Sequence, residues 1–234
     1  MLDRLGEPRM KVLLFGATGM VGQGVLLECL RDTDVEQVVT VGRSATEVRD
    51  LKVREVVHSD LLNYAGMEEV VTGFDACFFC LGVSSSGMKE ADYERITYGF
   101  TMAAAELLGR VNSGMGFIFV SGSGADSTEK GSSMWARVKG KTENAILRLP
   151  LNAFIFRPGF IEPLDGIQSR TPVYRTMYAA MKPVIPLFRR LAPNHVLSTR
   201  EIGQAMLAVA RYGYAKRILE TKDIRRVIGP PVHH

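Results

Sequence analysis

Gly16, Gly19 and Gly22 stand three residues apart in the run Gly16-Ala17-Thr18-Gly19-Met20-Val21-Gly22. That pattern suits phosphate chemistry. A glycine closing a strand permits a tight turn, and a second at a helix start lets backbone N–H groups approach a pyrophosphate. A third lets the helix pack on the strand. The free N–H groups and positive dipole end of the helix then favour an anion. The usual dinucleotide spacing is Gly-x-Gly-x-x-Gly, so Gly-x-x-Gly-x-x-Gly is a variant loop. No Gly-Lys-Ser/Thr follows, which argues against a Walker-type loop. Gly16, Thr18, Gly19, Met20, Val21 and Gly22 are the expected cofactor contacts, with an ordinary glycine-rich turn as the alternative.

A second strand, Val38 to Val41, ends in Gly42-Arg43-Ser44. Dinucleotide sites place the residue that reads the ribose about 20 residues after the glycine loop. An Asp or Glu there accepts from the 2′-hydroxyl of NAD and repels a 2′-phosphate. Arg43 offers a fork of donors instead, and Ser44 a hydroxyl. The expectation is NADP(H), with NAD(H) as the alternative and a surface arginine beside a turn as the plain reading. Asp60 can accept from an adenine amino group beside Leu61, or cap a helix that starts at Leu61. Leu81, ending a fourth strand, and Gly82 and Ser84 to Ser86 after it should line the crevice at the carboxyl ends of the strands.

The elements that must position these residues alternate. Strands are expected at Lys11–Phe15, Val38–Val41, Val53–Val57, Asp75–Leu81, Phe117–Val120 and Ala153–Phe156. Amphipathic helices follow the glycine loop and fill Ala91 to Arg110, with Tyr93, Ile96, Phe100, Ala103, Ala104, Leu107 and Leu108 as the apolar stripe. Further helices begin near Met134 and at Thr199, the last running to Arg211 and capped by Ser198 or Thr199. Alternation of this kind implies a doubly wound parallel sheet with right-handed crossovers, an α/β Rossmann fold. The whole chain, 1–234, reads as a single domain. Residues 160–200 read as a small C-terminal lid or substrate region within it. The Pro172 to Leu191 part is open to three readings: a lid, an oligomer interface or a membrane-surface patch.

Composition bounds the rest. The 234 residues are 46% hydrophobic and 23% charged, with a net charge of +4. That excess is small and scattered, so no nucleic-acid partner is expected. No apolar run approaches the ~18 residues of a membrane span. The polar start, Met1 to Met10, does not resemble a secretory signal, and a cytoplasmic setting is expected. Cys77 and Cys80 fall on opposite faces of a strand, so no shared metal is expected there or elsewhere. A small-molecule substrate is expected but unnamed, and a homodimer or a protein partner stays open.

The glycine loop, Gly42-Arg43-Ser44, Ser121-Gly122-Ser123-Gly124-Ala125-Asp126, Val138-Lys139-Gly140 and Arg157-Pro158-Gly159 occur in an order that resembles the atypical short-chain dehydrogenase/reductases. The resemblance is to NmrA-like and epimerase-like members, related to the Tat-interacting oxidoreductase-like proteins. It covers Lys11 to about Arg211. It implies cofactor contacts at Arg157 and Pro158, a serine (Ser121 or Ser123) that binds a carbonyl, and Lys139 orienting the nicotinamide ribose. The family places a tyrosine four residues before that lysine as proton donor. Here that position is Trp135, whose indole N–H has no accessible acid–base chemistry. Tyr178-x-x-x-Lys182 and Tyr212-x-x-x-Lys216 match the motif in the wrong part of the fold. Tyr98 or Tyr178 is left as a replacement hydroxyl. Two functions follow: an NADP(H)-dependent oxidoreductase on a small carbonyl or sugar-like substrate, or an NADPH-sensing regulatory module that meets a protein partner.

Overall fold

The structure, a computed structural model, describes residues 9–167 and 195–229. Its centre is a seven-stranded parallel sheet. The strands in chain order are β1 (Met10–Phe15), β2 (Val35–Gly42), β3 (Val53–Val57), β4 (Ala76–Phe79), β5 (Gly116–Val120), β6 (Asn152–Arg157) and, after two short strands, β9 (Ile218–Glu220). In space they run β3-β2-β1-β4-β5-β6-β9. The order reverses at β1, between β2 and β4, and a doubly wound sheet opens its crevice at such a reversal.

Both faces of the sheet are covered. Period-two alternation along β1 sends Val12 and Leu14 to one layer and Leu13 and Phe15 to the other. The first layer packs under α1 (Met20–Arg31) and α6 (Thr199–Tyr212) through Val25, Leu26, Ile202, Met206 and Val209. The second packs under α4 (Phe100–Val111) and α5 (Met134–Ile146) and is rich in aromatics. There Phe15 stacks on Phe79 at 5.2 Å and Phe79 on Phe117 at 5.8 Å. Each such fully buried side chain contributes about 1.5–3 kcal/mol.

Three expectations need correction. No helix starts at Leu61: Asp60 accepts from the Leu62 N–H at 3.0 Å in a local turn, and α2 is the short Glu68–Val71. The fourth strand is shorter than expected, so Cys80 and Leu81 lie beyond it. The helix expected over Ala91 to Arg110 is α3 (Glu90–Glu94), a π-helical turn (Arg95–Gly99) and α4. The extra residue of the π-turn rotates the buried face. Thr97 and Thr101 are buried, whereas Ile96, Phe100 and Ala103 are only partly so. Beyond Arg211 lie two elements without a sequence signal: β9, which extends the sheet beside β6, and the helix α7 (Thr221–Val227) that follows it.

Within 160–200, β7 (Phe160–Glu162) and β8 (Val196–Ser198) pair in parallel as a separate two-stranded sheet. The Pro172 to Leu191 stretch lies outside the described residues. Ser198, not Thr199, caps α6. Its hydroxyl accepts from the Glu201 N–H, and the Glu201 carboxylate accepts from the Ser198 N–H, completing a capping box. Among the described residues no helix is long and apolar enough to cross a membrane.

Candidate functional site

The carboxyl ends of β1, β2, β4 and β5 open into one cleft of about 790 Å3. Its floor is the glycine turn after β1. Gly16 has φ +78°, and a Cβ there would meet the Leu81 nitrogen at 2.6 Å, so the turn closes against the end of β4 only as glycine. A Cβ on Gly22 would meet the Gly16 carbonyl oxygen at 2.1 Å. That third glycine lets α1 sit on the turn. The cradle that a pyrophosphate needs is therefore built here, with the first turn of α1 aimed along it and Gly19 as its N-cap residue.

Thr18, Gly19, Met20 and Val21 line the cleft with Gly16, while Gly22 lies behind them as packing. Arg43 and Ser44 enter from the end of β2, both exposed at the rim. Leu61, Leu81 and Gly82 line it as expected, joined by Ser84 and Ser85. Asp60 does not: its carboxylate is turned to its own backbone. No Asp or Glu borders the cleft among the described residues, and two cations do, Arg43 and Lys139. A lining of that sign attracts an anionic ligand.

The far wall is Ser121, Gly122, Trp135 and Lys139. Ser121 and Ser123 part company here. Ser121 lines the cleft, whereas Ser123 is exposed outside it, its N–H donating to the Pro158 carbonyl at 2.9 Å. Trp135, Lys139 and Glu143 stand four apart along one face of α5. The Trp135 ring covers the glycine loop after β5, 3.6 Å from where a Cβ on Gly124 would sit. Lys139 is buried; its ammonium donates to the Val120 carbonyl at 3.3 Å and lies 4.8 Å from the Phe119 ring centroid. Burial pulls its pKa down to about 8, against the pull of Glu143.

Glu143, fully buried, is the residue sequence reading passed over. Arg157 Nε donates to both of its oxygens at 3.1 Å, and Arg157 Nη2 and the Ser121 hydroxyl donate to it as well. Arg157 thus faces Glu143, with Ser127 and Glu220 as further partners, and neither it nor Pro158 lines the cleft. The i+4 spacing from Lys139 was the legible signal for Glu143. Of the candidate replacement hydroxyls, Tyr98 lies under the Lys141 ammonium, outside the cleft lining, and Tyr178 is outside the described residues. Tyr93, on α3, lines the cleft instead. Cys80 also reaches it, and burial pushes its thiol pKa up.

This is the Rossmann-like fold shared with the short-chain dehydrogenases and epimerases. A family model described as NAD(P)H-binding matches residues 16–177, more than half of the chain, and the chain belongs to that family. Among curated proteins, the mitochondrial protein FMP52 of Meyerozyma guilliermondii is 26% identical over 156 residues. That match spans 65% of this chain and 65% of FMP52, so less than two thirds of the relative's length is covered. The Bordetella bronchiseptica enzyme WbmF, solved with NAD+ and UDP, superposes with a TM-score of 0.68 at 15% identity, over 93% of this chain and 76% of that one. A short chain dehydrogenase family protein from Francisella tularensis gives 0.61 at 12% identity, over 88% and 92%.

Proposed function

We propose that this protein is an NADP(H)-dependent oxidoreductase acting on a small carbonyl or sugar-like substrate. The observation that carries the reading is the cleft itself. A glycine cradle that no Cβ could occupy opens onto a lining with Arg43 and Lys139 and no carboxylate among the described residues. The backbone of residues 16–21 would hold the pyrophosphate. Arg43 and Ser44 would take a 2′-phosphate, with Leu61 and Leu81 beside the adenine and Gly82 along the chain of the cofactor. When bound, a reduced nicotinamide supplies hydride to a carbonyl carbon.

The protein's own residues then bind and orient. Glu143 accepts from both Arg157 and Ser121, so the single hydroxyl hydrogen of Ser121 points inward and its oxygen lone pairs remain for the cleft. Ser123 has no part in this reading. Ile161 of β7, where the 160–200 region begins, borders the substrate side of the cleft. A second reading rests on Trp135: a protein that binds NADPH and reports it to a partner without fast turnover. The cytoplasmic reading stands beside the relative's mitochondrial name, and cell fractionation decides between them.

Calorimetric titration with NADPH and NADH, repeated on Arg43→Ala, tests the cofactor assignment. NADPH should bind at least about tenfold tighter than NADH. Arg43→Ala should weaken NADPH by about 1.5–3 kcal/mol, the range of a hydrogen bond to a charged group, and leave NADH nearly unchanged. Equal affinities, or equal losses for both nucleotides, would remove the 2′-phosphate assignment.

A further inference from the structure

A carbonyl reduced by hydride needs a proton, and the position that holds the proton donor in the family is Trp135, which has none to give. Among the described residues, the groups at the cleft that carry a transferable proton are Lys139, Tyr93, Cys80 and the serines. Lys139 stands on the same face of α5 as Trp135, one turn further along, where the cleft meets the end of β5. Its ammonium is held by one carbonyl, that of Val120, and by the face of Phe119. The carboxylate one turn on, Glu143, is taken by Arg157 and Ser121 and makes no ion pair with it among the described residues. Lys139 is thus a buried ammonium without a bound counter-charge among the described residues, in the lining of the site.

We infer that Lys139, rather than a tyrosine, is the proton donor of this cleft. The assignment rests on the oxidoreductase reading above. The carbonyl carbon receives hydride, with its two electrons, from the reduced nicotinamide. The carbonyl π pair moves to oxygen, one N–H bond of the Lys139 ammonium breaks, and an O–H bond forms. Lys139 is left as a neutral amine and regains a proton from solvent. The other charged or titratable groups around Lys139 are Tyr93 on α3, Cys80 after β4 and Arg43 after β2 at the cleft, with Glu143 on α5 and Arg157 on β6 behind its lining. Burial outweighs Glu143 and brings the lysine to about 8, so near neutral pH it holds a proton that it can release.

Two measurements test the assignment. The first needs neither cofactor nor substrate. In protein carrying 13C at the lysine side chains, the resonance missing from Lys139→Arg should titrate near pH 8, well below the other lysines. The second follows NADPH oxidation with 4-nitrobenzaldehyde as carbonyl probe, with NADPH affinity measured in parallel on every variant. kcat/KM should fall about tenfold per unit above pH 8. Lys139→Met and Lys139→Arg should both lose roughly 10²–10⁴-fold, since a guanidinium keeps the charge but yields no proton. The assignment is overturned by a Lys139 resonance that titrates with the bulk, by a rate flat through pH 8, or by a Lys139→Arg that keeps its rate. It is overturned equally if the loss falls on Tyr93→Phe, or if a protein that binds NADPH oxidises none. A protein that binds no NADPH overturns the cofactor reading first.

Discussion

At the scale of single residues, the far wall of the cleft shows how burial sets chemistry. Lys139 gives up part of its hold on a proton because desolvation disfavours the ammonium. Its folded pKa lies below its unfolded value, so its charge opposes folding, fully below about pH 8 and progressively less as the pH rises toward 10.5. Lys139→Met should therefore stabilise the protein by about 1–3 kcal/mol at pH 7, and denaturant melts should show that advantage shrinking between pH 8 and 10.5. An advantage that grows with pH would contradict the placement. The sequence made Lys139 and Trp135 legible because helical spacing puts both on one face. It could not separate Ser121 from Ser123, since two serines flanking a glycine differ only in where the loop turns them. Nor could it place Asp60, whose side chain serves a turn as readily as a cap. Glu143 was visible in spacing but not in role, because its partners come from β5 and β6, distant in the chain.

The elements were more legible where local pattern and tertiary demand agree. β1, the glycine turn and α1 follow from an apolar run, three glycines and a helical stripe, and the structure packs them as that pattern requires. The turn tolerates no side chain at its third glycine. Gly22→Ala would drive a methyl into the Gly16 carbonyl and separate α1 from β1. A loss of roughly 1–3 kcal/mol, the usual range for overpacking, should appear in urea melts, with a lower affinity for any dinucleotide. Wild-type stability in that variant would mean the packing is looser than described. The long helix before β5 was less legible. Residues 91–110 carry a continuous helical pattern, yet Arg95–Gly99 is wound as a π-turn. A Cβ on Gly99 would meet Leu62 at 3.0 Å, so the π-turn packs closely against the loop after β3. β9, only three residues long, has too little sequence for a period to register; its pairing with β6 makes it a strand.

At the scale of the whole molecule, strand order explains why these residues meet. Residues from positions 16, 43, 81, 121 and 139 share one cleft because β1, β2, β4 and β5 are parallel and end on the same edge, with the order reversing at β1. A parallel sheet was readable from alternation, and its crevice from the rule for such sheets. Which loop residues face inward was not. Whether this crevice binds a nicotinamide dinucleotide is decided by titrating the purified protein with NADPH while following the fluorescence of Trp135. It is the sole tryptophan, and it lines the cleft. Saturable quenching is expected, with energy transfer to the dihydronicotinamide, and it should weaken in Gly22→Ala. A folded protein whose tryptophan emission is unmoved by NADPH, and which shows no binding heat with it, would mean that the crevice is not a dinucleotide site.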